Sequence, residues 1–285
     1  MWKKILSFVI SFILVIAPIQ GVQILLQEFS SVTSQNLTTY ILACAIYALA
    51  SSIILYFVLN QNLPKAILLG GAFLFLGGAI ATAATALREP DMSQTVLQNT
   101  IRDHFRYLIL FLLTITTCYA FFKILKPLWN ELPNIHKWIV PIFILAAIGF
   151  FYEFIHQYFY SDNLEKWINT GKNVADFNSN YFDNFNTKTF GLGRIFQYLS
   201  IAWLGLVLVM FDNIKKWSFG VLVFLCTIGV FIGVRLAWVD AETIFKGEVF
   251  PKGLEILNLF VLPAAPFLLL YWTSIALLSK KTKSE

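Results

Sequence analysis

Apolar runs long enough to cross a bilayer recur along almost the whole chain, and they constrain its fold more than any other feature. A hydrocarbon core about 30 Å thick takes roughly 20 residues of helix, and a backbone inside it must satisfy its own hydrogen bonds. Eight runs qualify: 5–26, 39–60, 65–87, 107–125, 138–160, 195–211, 217–239 and 254–278. The expected fold is therefore all-α and transmembrane, an eight-helix polytopic bundle in which residues 1–285 form a single integral-membrane domain. Run 195–211 is the weakest, being short and carrying Gln197 and Ser200. Charged residues make up 13% of the chain, where a soluble domain has about a quarter, so no soluble module fits between the runs. Met1-Trp2-Lys3-Lys4 before Ile5–Ala17 resembles a secretory leader, but no small-x-small cleavage site follows, which makes 5–26 an uncleaved first span.

The sign of the connecting loops orients the bundle. With a cytoplasmic N-terminus, the inner side collects Lys3, Lys4, Lys65, Lys123, Lys126 and Lys137, then Lys215, Lys216, Lys280, Lys281 and Lys283. The other side collects Glu89, Asp91, Asp103, Asp162, Glu165 and Asp176, then Asp183, Asp240, Glu242 and Glu248. The positive-inside rule then sets both termini in the cytoplasm of a multi-pass protein of the cell membrane, the cytoplasmic membrane if the host is bacterial. The same distribution accounts for the net charge of +5 without nucleic acid as a partner. Trp138, Trp217 and Trp238 fall at span ends, where indole rings anchor at the interface.

The outer side is the elaborated one. All five arginines (Arg88, Arg102, Arg106, Arg194, Arg235) belong to it, and a planar guanidinium fork matches carboxylate or phosphate in a way that lysine does not. They could equally do no more than pair with the outer acids. The longest loop, 161–193, holds seven asparagines and several aromatics and ends in Gly191-x-Gly193 before Arg194; an ordered cap resting on the interface is expected. Within it Asp176-x-Asn178-x-Asn180-x-x-Asp183 has the outline of a calcium loop, yet Tyr181 and Thr187 stand where the glycine and glutamate belong. Asn36-Leu37-Thr38 is an acceptor for glycosylation only in a eukaryotic host. Small residues at Gly70, Gly77, Ala81 and Ala84, and at Gly229-x-x-x-Gly233, read as tight packing within the bundle. No internal repeat relates the two halves, so an inverted-repeat transporter has no support. Cys44, Cys118 and Cys226 lie far apart within apolar runs, which excludes a disulfide framework or thiolate metal centre.

The chemistry concentrates in Phe150–Tyr160, where Glu153 and His156 interrupt an apolar, aromatic segment. At 1.5 Å per residue Glu153 lies about 22 Å and His156 about 27 Å along the helix from Trp138, and Arg235 lies about 27 Å from Trp217. The three reach similar depth, just below the outer boundary. Spacings of three and four put Glu153, His156, Gln157 and Tyr160 on one helical face. Arg194 caps the next span, and Arg102-Asp103-His104-Phe105-Arg106 leads into the fourth. Ionisable groups at such depth default to a functional reading. The reading preferred is an outer-facing pocket for an anionic lipid or lipid-linked substrate, with membrane lipids as partners. Arg235, Arg194, Arg106, Asp103 and His104 would bind it, and Glu153 and His156 would supply acid and base if a reaction follows. Three alternatives stand beside it: a structural Glu153–Arg235 ion pair, a proton-coupled small-solute transporter, and a non-catalytic receptor or assembly component. Glu153-x-x-His156 with Asp103 or His104 could outline a zinc sphere, but three histidines, one of them His136 on the other side, argue against a metal. No cofactor is called for.

Overall fold

The computed structural model describes residues 42, 63–85, 96–97, 100–182, 184–239, 253–254, 257, 260–261 and 265–278. The first two expected spans (Leu42 apart), Cys44, the Asn36 sequon, Asp183 and most of the terminal and 240–252 charges lie outside them. Among the described residues the structure is helical without strands. The helices are α1 (Lys65–Thr85), α2 (Thr100–Leu128), α3 (Ile139–Tyr158) and α4 (Tyr160–Asn169). They continue as α5 (Ala175–Tyr181), α6 (Asn184–Met210), α7 (Lys216–Trp238) and α8 (Ala265–Leu278).

Four helical stretches are long and apolar enough to cross a membrane: Thr100–Leu128, Asn134–Asn169, Phe185–Met210 and Lys216–Trp238. The apolar stretches Lys65–Gly78 and Ala265–Leu278 are shorter. A multi-pass membrane protein is the architecture these lengths describe. In the helix order α1–α2–α3–α6–α7 each member packs on the next, and α8 lies against α1 while also touching α6 and α7. Rings lock the neighbours together, as where Phe121 of α2 stacks on Phe143 of α3 with centroids 3.8 Å apart. Outward, large apolar side chains such as Leu112, Ile148, Phe224 and Phe231 stand exposed, which is the surface lipid tails would cover.

The eighth expected run, 254–278, is α-helical only over Ala265–Leu278 among the described residues, and two other boundaries differ from the sequence reading for a common reason. The fourth span starts at Thr100 rather than 107, and the sixth starts at Asn184 rather than 195. Each gains turns too polar for a hydrophobicity window but buried here among protein partners. Gln197 and Ser200, which made run 195–211 look weak, are fully enclosed, and the Ser200 hydroxyl donates to the Gln197 carbonyl at 2.8 Å. The α6–α7 turn is short because Asp212 adopts a left-handed φ of 53°. The Asn213 and Asp212 amides then donate to the Leu208 and Val209 carbonyls, closing a Schellman cap.

Segment 161–193, expected as an ordered cap, is ordered mainly as helix. The helical stretch of α3 runs on past Phe159 into α4, with the Asn163 amide donating to the Phe159 carbonyl at 3.0 Å. Val96, Tyr160, Leu164, Phe177 and Phe182 then form a small apolar core separate from that of the bundle. Asn178 and Asn180 of the calcium-like pattern lie on α5, where the Asn180 side chain donates to the Asp176 carbonyl.

Candidate functional site

The polar end of the bundle is assembled around the crossing of α3 and α6. Gly149 and Gly193 meet there so closely that a Cβ on Gly149 would lie 2.6 Å from the Gly193 Cα. Glu153 follows one turn after Gly149, and Arg194 follows Gly193 directly, so the crossing delivers the two charges to each other. Arg194 Nη2 donates to Glu153 Oε1 at 2.7 Å and to the Val261 carbonyl at 3.0 Å, while Nη1 donates to Gln197 Oε1 at 2.9 Å. Arg194 is 2% exposed and Glu153 5%. A buried ion pair tied by further hydrogen bonds to Gln197 and the Val261 carbonyl is a junction of α3, α6 and the segment before α8, although Arg194 Nε and Gln197 Nε2 are buried without a hydrogen-bond partner among the described residues.

A second charged group occupies the first turns of α2. Asp103 Oδ1 accepts a hydrogen bond from Arg102 Nε at 3.4 Å and lies 3.5 Å from Arg106 Nη1 as an ion pair, and Asp103 and Arg106 are buried. The buried Tyr107 phenol lies within electrostatic reach of Arg106, Asp103 and Glu153, so it joins the two groups into one polar layer across α2, α3 and α6. His104 faces away from this layer. Its ring stacks on Tyr158 at 4.6 Å, and its Nε2 lies 3.2 Å from both Ser161 Oγ and Asp162 Oδ1. Both contacts fall on one nitrogen, so the trio ties α2 to α4 and lacks the two-nitrogen relay of a hydrolytic triad.

His156 is held apart from Glu153 despite the shared helix. Its ring stacks on Tyr181 at 4.2 Å and meets Phe182 and Phe190 edge-on at 5.4 Å. Tyr181 Oη donates to the His156 carbonyl at 2.6 Å. Tyr152 donates to Asn186 Oδ1, and the Asn186 amide donates to the Tyr181 carbonyl at 3.0 Å. Burial, partly offset by the Asn163 amide, pushes the Tyr181 phenol up to about 12, so it remains a hydrogen-bond donor throughout the neutral range. Arg235 stands on the exposed side of α7, whose Ile232, Gly233 and Leu236 are buried.

No family model, curated protein or solved structure matches this chain. What the site can do therefore follows from its own chemistry. Among the described residues no three His, Cys, Asp or Glu side chains converge as a metal ion would require.

Two open clefts flank the rings around His156; of their polar residues the sequence reading singled out His156, and Asn180 in the calcium-like pattern, but not Asn163, Lys166 or Lys172. One, of about 350 Å³, is lined by Tyr152, Ile155, His156, Phe159, Asn163 and Tyr181. The other, of about 390 Å³, shares Asn163 and Tyr181 and adds Lys166, Trp167, Lys172 and Asn180 among its walls. Both fall within the size range of small-molecule sites. Neither lysine has a carboxylate within 4.0 Å among the described residues; Lys172 Nζ rests 4.4 Å from the centroid of the Trp167 ring. The missed signal was local: Tyr160, Leu164 and Trp167 repeat at helical spacing in a segment that the asparagines made look like loop.

Proposed function

We propose that this protein is a multi-pass protein of the cell membrane that binds an anionic lipid or lipid-linked substrate at its outer face, in the groove formed by the two clefts. The observation that carries this reading is the position of the first cleft. It opens beside Ile155 and Phe159, each 47% exposed at the end of the apolar run of α3, and it shares Asn163 and Tyr181 with a cleft whose two lysines have no carboxylate within 4.0 Å among the described residues. A lipid chain can lie along Ile148, Ile155 and Phe159 while its polar end enters between Tyr152, Asn163 and Tyr181. In this reading Glu153 and Arg194 hold the frame, since each is already the other's partner in a dry site. Arg106 and Asp103 extend that frame, and His104 fastens the cap to α2. His156 forms the wall between frame and groove, and Arg235 offers an exposed cation at the same level.

The test is lipid retention by the purified full chain. In native mass spectrometry, phosphatidylglycerol should remain bound at detergent concentrations that strip phosphatidylcholine. Lys166→Gln combined with Lys172→Gln should abolish that preference, and Phe159→Ser should weaken retention of both lipids. Equal retention of the two lipids by the unaltered protein would remove the reading.

A further inference from the structure

The two clefts share Asn163 and Tyr181, and the second adds walls from α4 and α5. Trp138 marks one end of the helical stretch Asn134–Asn169. At 1.5 Å per residue, Phe159 lies about 32 Å from it, which is the thickness of the hydrocarbon core, and α4 follows the break at Phe159. A tilt of about 20° shortens this distance by only about 2 Å. The headgroup layer on each side adds roughly 5–8 Å to the core. The first cleft therefore sits at headgroup level, and the lysine-bearing cleft lies beside it on α4 and α5, past the end of α3.

The walls of that second cleft have the chemistry of sugar recognition. Trp167 and Tyr181 offer partly exposed rings, while Asn163 and Asn180 offer their amide oxygens and the amide hydrogens not spent on the Phe159 and Asp176 carbonyls. Aromatic faces carry negative charge density and attract the weakly positive C–H face of a pyranose. Amides both donate and accept, as a polyol requires. The two ammonium groups add a preference for an acidic substituent. Among the described acids of the same segment, Asp162 lies 3.2 Å from His104, and Glu165 and Asp176 line neither cleft.

We propose that the ligand is a lipid-linked anionic saccharide, its lipid phosphate or glycerol at Asn163 and Tyr181 and its charged sugar in the second cleft between Trp167, Lys166 and Lys172. This rests on the lipid-binding reading and narrows it. In the free protein Lys172 covers the Trp167 ring. An acidic sugar draws the ammonium onto its carboxylate or phosphate and takes its place on the indole face, so binding reports itself in Trp167.

The experiment is a titration of the full chain in detergent with three probes: dioleoyl phosphatidylglycerol, an anionic glycosyl diglyceride such as glucuronosyl diacylglycerol, and glucuronic acid alone. Expected is at least tenfold tighter binding of the glycosyl lipid than of phosphatidylglycerol, with a change in indole emission that Trp167→Phe removes. The free acid should bind weakly but compete. Trp167 also donates to the Asn173 carbonyl at 2.8 Å, so Asn180→Ala, which leaves that bond alone, is the second variant and should lower glycosyl-lipid affinity at least threefold. Equal affinity for the two lipids, unaltered by Asn180→Ala, overturns the saccharide while leaving lipid binding standing. Failure of both lipids to bind overturns both.

Discussion

The Arg194 guanidinium spends three hydrogen bonds on Glu153, Gln197 and the Val261 carbonyl, and that commitment decides how the charged residues act. Removing one member of a buried, hydrogen-bonded pair strands the other and costs about 3–5 kcal/mol. Arg194→Met alone should lower the thermal midpoint sharply. Adding Glu153→Leu should recover part of the loss, because the stranded carboxylate goes too; circular dichroism melts in detergent check this, and a double variant no better than the single would contradict a scaffold role. Tyr181 gives a pH-dependent companion. Its phenol is raised in the folded protein, so stability it contributes is intact below pH 10 and falls as pH rises toward about 12. Tyr181→Phe should flatten the stability profile over that interval and lower stability below it by about 1 kcal/mol through the lost bond to the His156 carbonyl. At this scale the sequence disclosed which residues are polar at depth but not whom they meet. Position along a helix carries level without azimuth, so depth could not choose between Arg194 and Arg235 as the partner of Glu153.

Between elements, backbone proximity sets the geometry. Gly149 and Gly193 let α3 and α6 touch, Gly229 receives the Tyr198 ring, and Gly191 admits the backbone of Ala237. A methyl group on Gly193 would meet the Gly149 Cα at 3.0 Å, and backbone there cannot swing aside. Gly193→Ala should cost about 1–3 kcal/mol by forcing the helices apart, whereas Gly220→Ala, with nothing within 4 Å, should be neutral or slightly stabilising. Equal melting points for the two variants would mean that the crossing is looser than described. The stripes of the third and seventh spans were readable as packing surfaces, and Gly70 indeed faces Ile124 and Ala120 of α2 while Gly78 meets Tyr271 of α8. Gly149 escaped notice because it stands alone in an apolar run with no second small residue four positions away. The cap helices α4 and α5 escaped because asparagine-rich sequence reads as turn, and their stability comes from an apolar core that Val96, distant in sequence, completes.

For the whole molecule, apolar run length alone conveyed a helical membrane protein, and four stretches of spanning length are present among the described residues. Charge asymmetry in the sequence predicts an orientation with both termini cytoplasmic, which single-cysteine labelling in intact cells tests. A cysteine at Ser179 should react with a membrane-impermeant maleimide and one at Lys126 should not; the reverse pattern would turn the bundle over. The clefts were illegible because they depend on how α3, α4 and α5 bring Tyr152, Asn163, Lys166 and Tyr181 together, which no local pattern announces. The most direct test of ligand binding there is photocrosslinking in native membranes from Phe159→p-benzoyl-phenylalanine, with the exposed Phe224→p-benzoyl-phenylalanine on α7 as control. Mass spectrometry of the adduct should show an anionic, saccharide-bearing lipid enriched at position 159 over its share of the membrane and absent at 224. Adducts at both positions that simply mirror bulk lipid composition would contradict a ligand site at the cap.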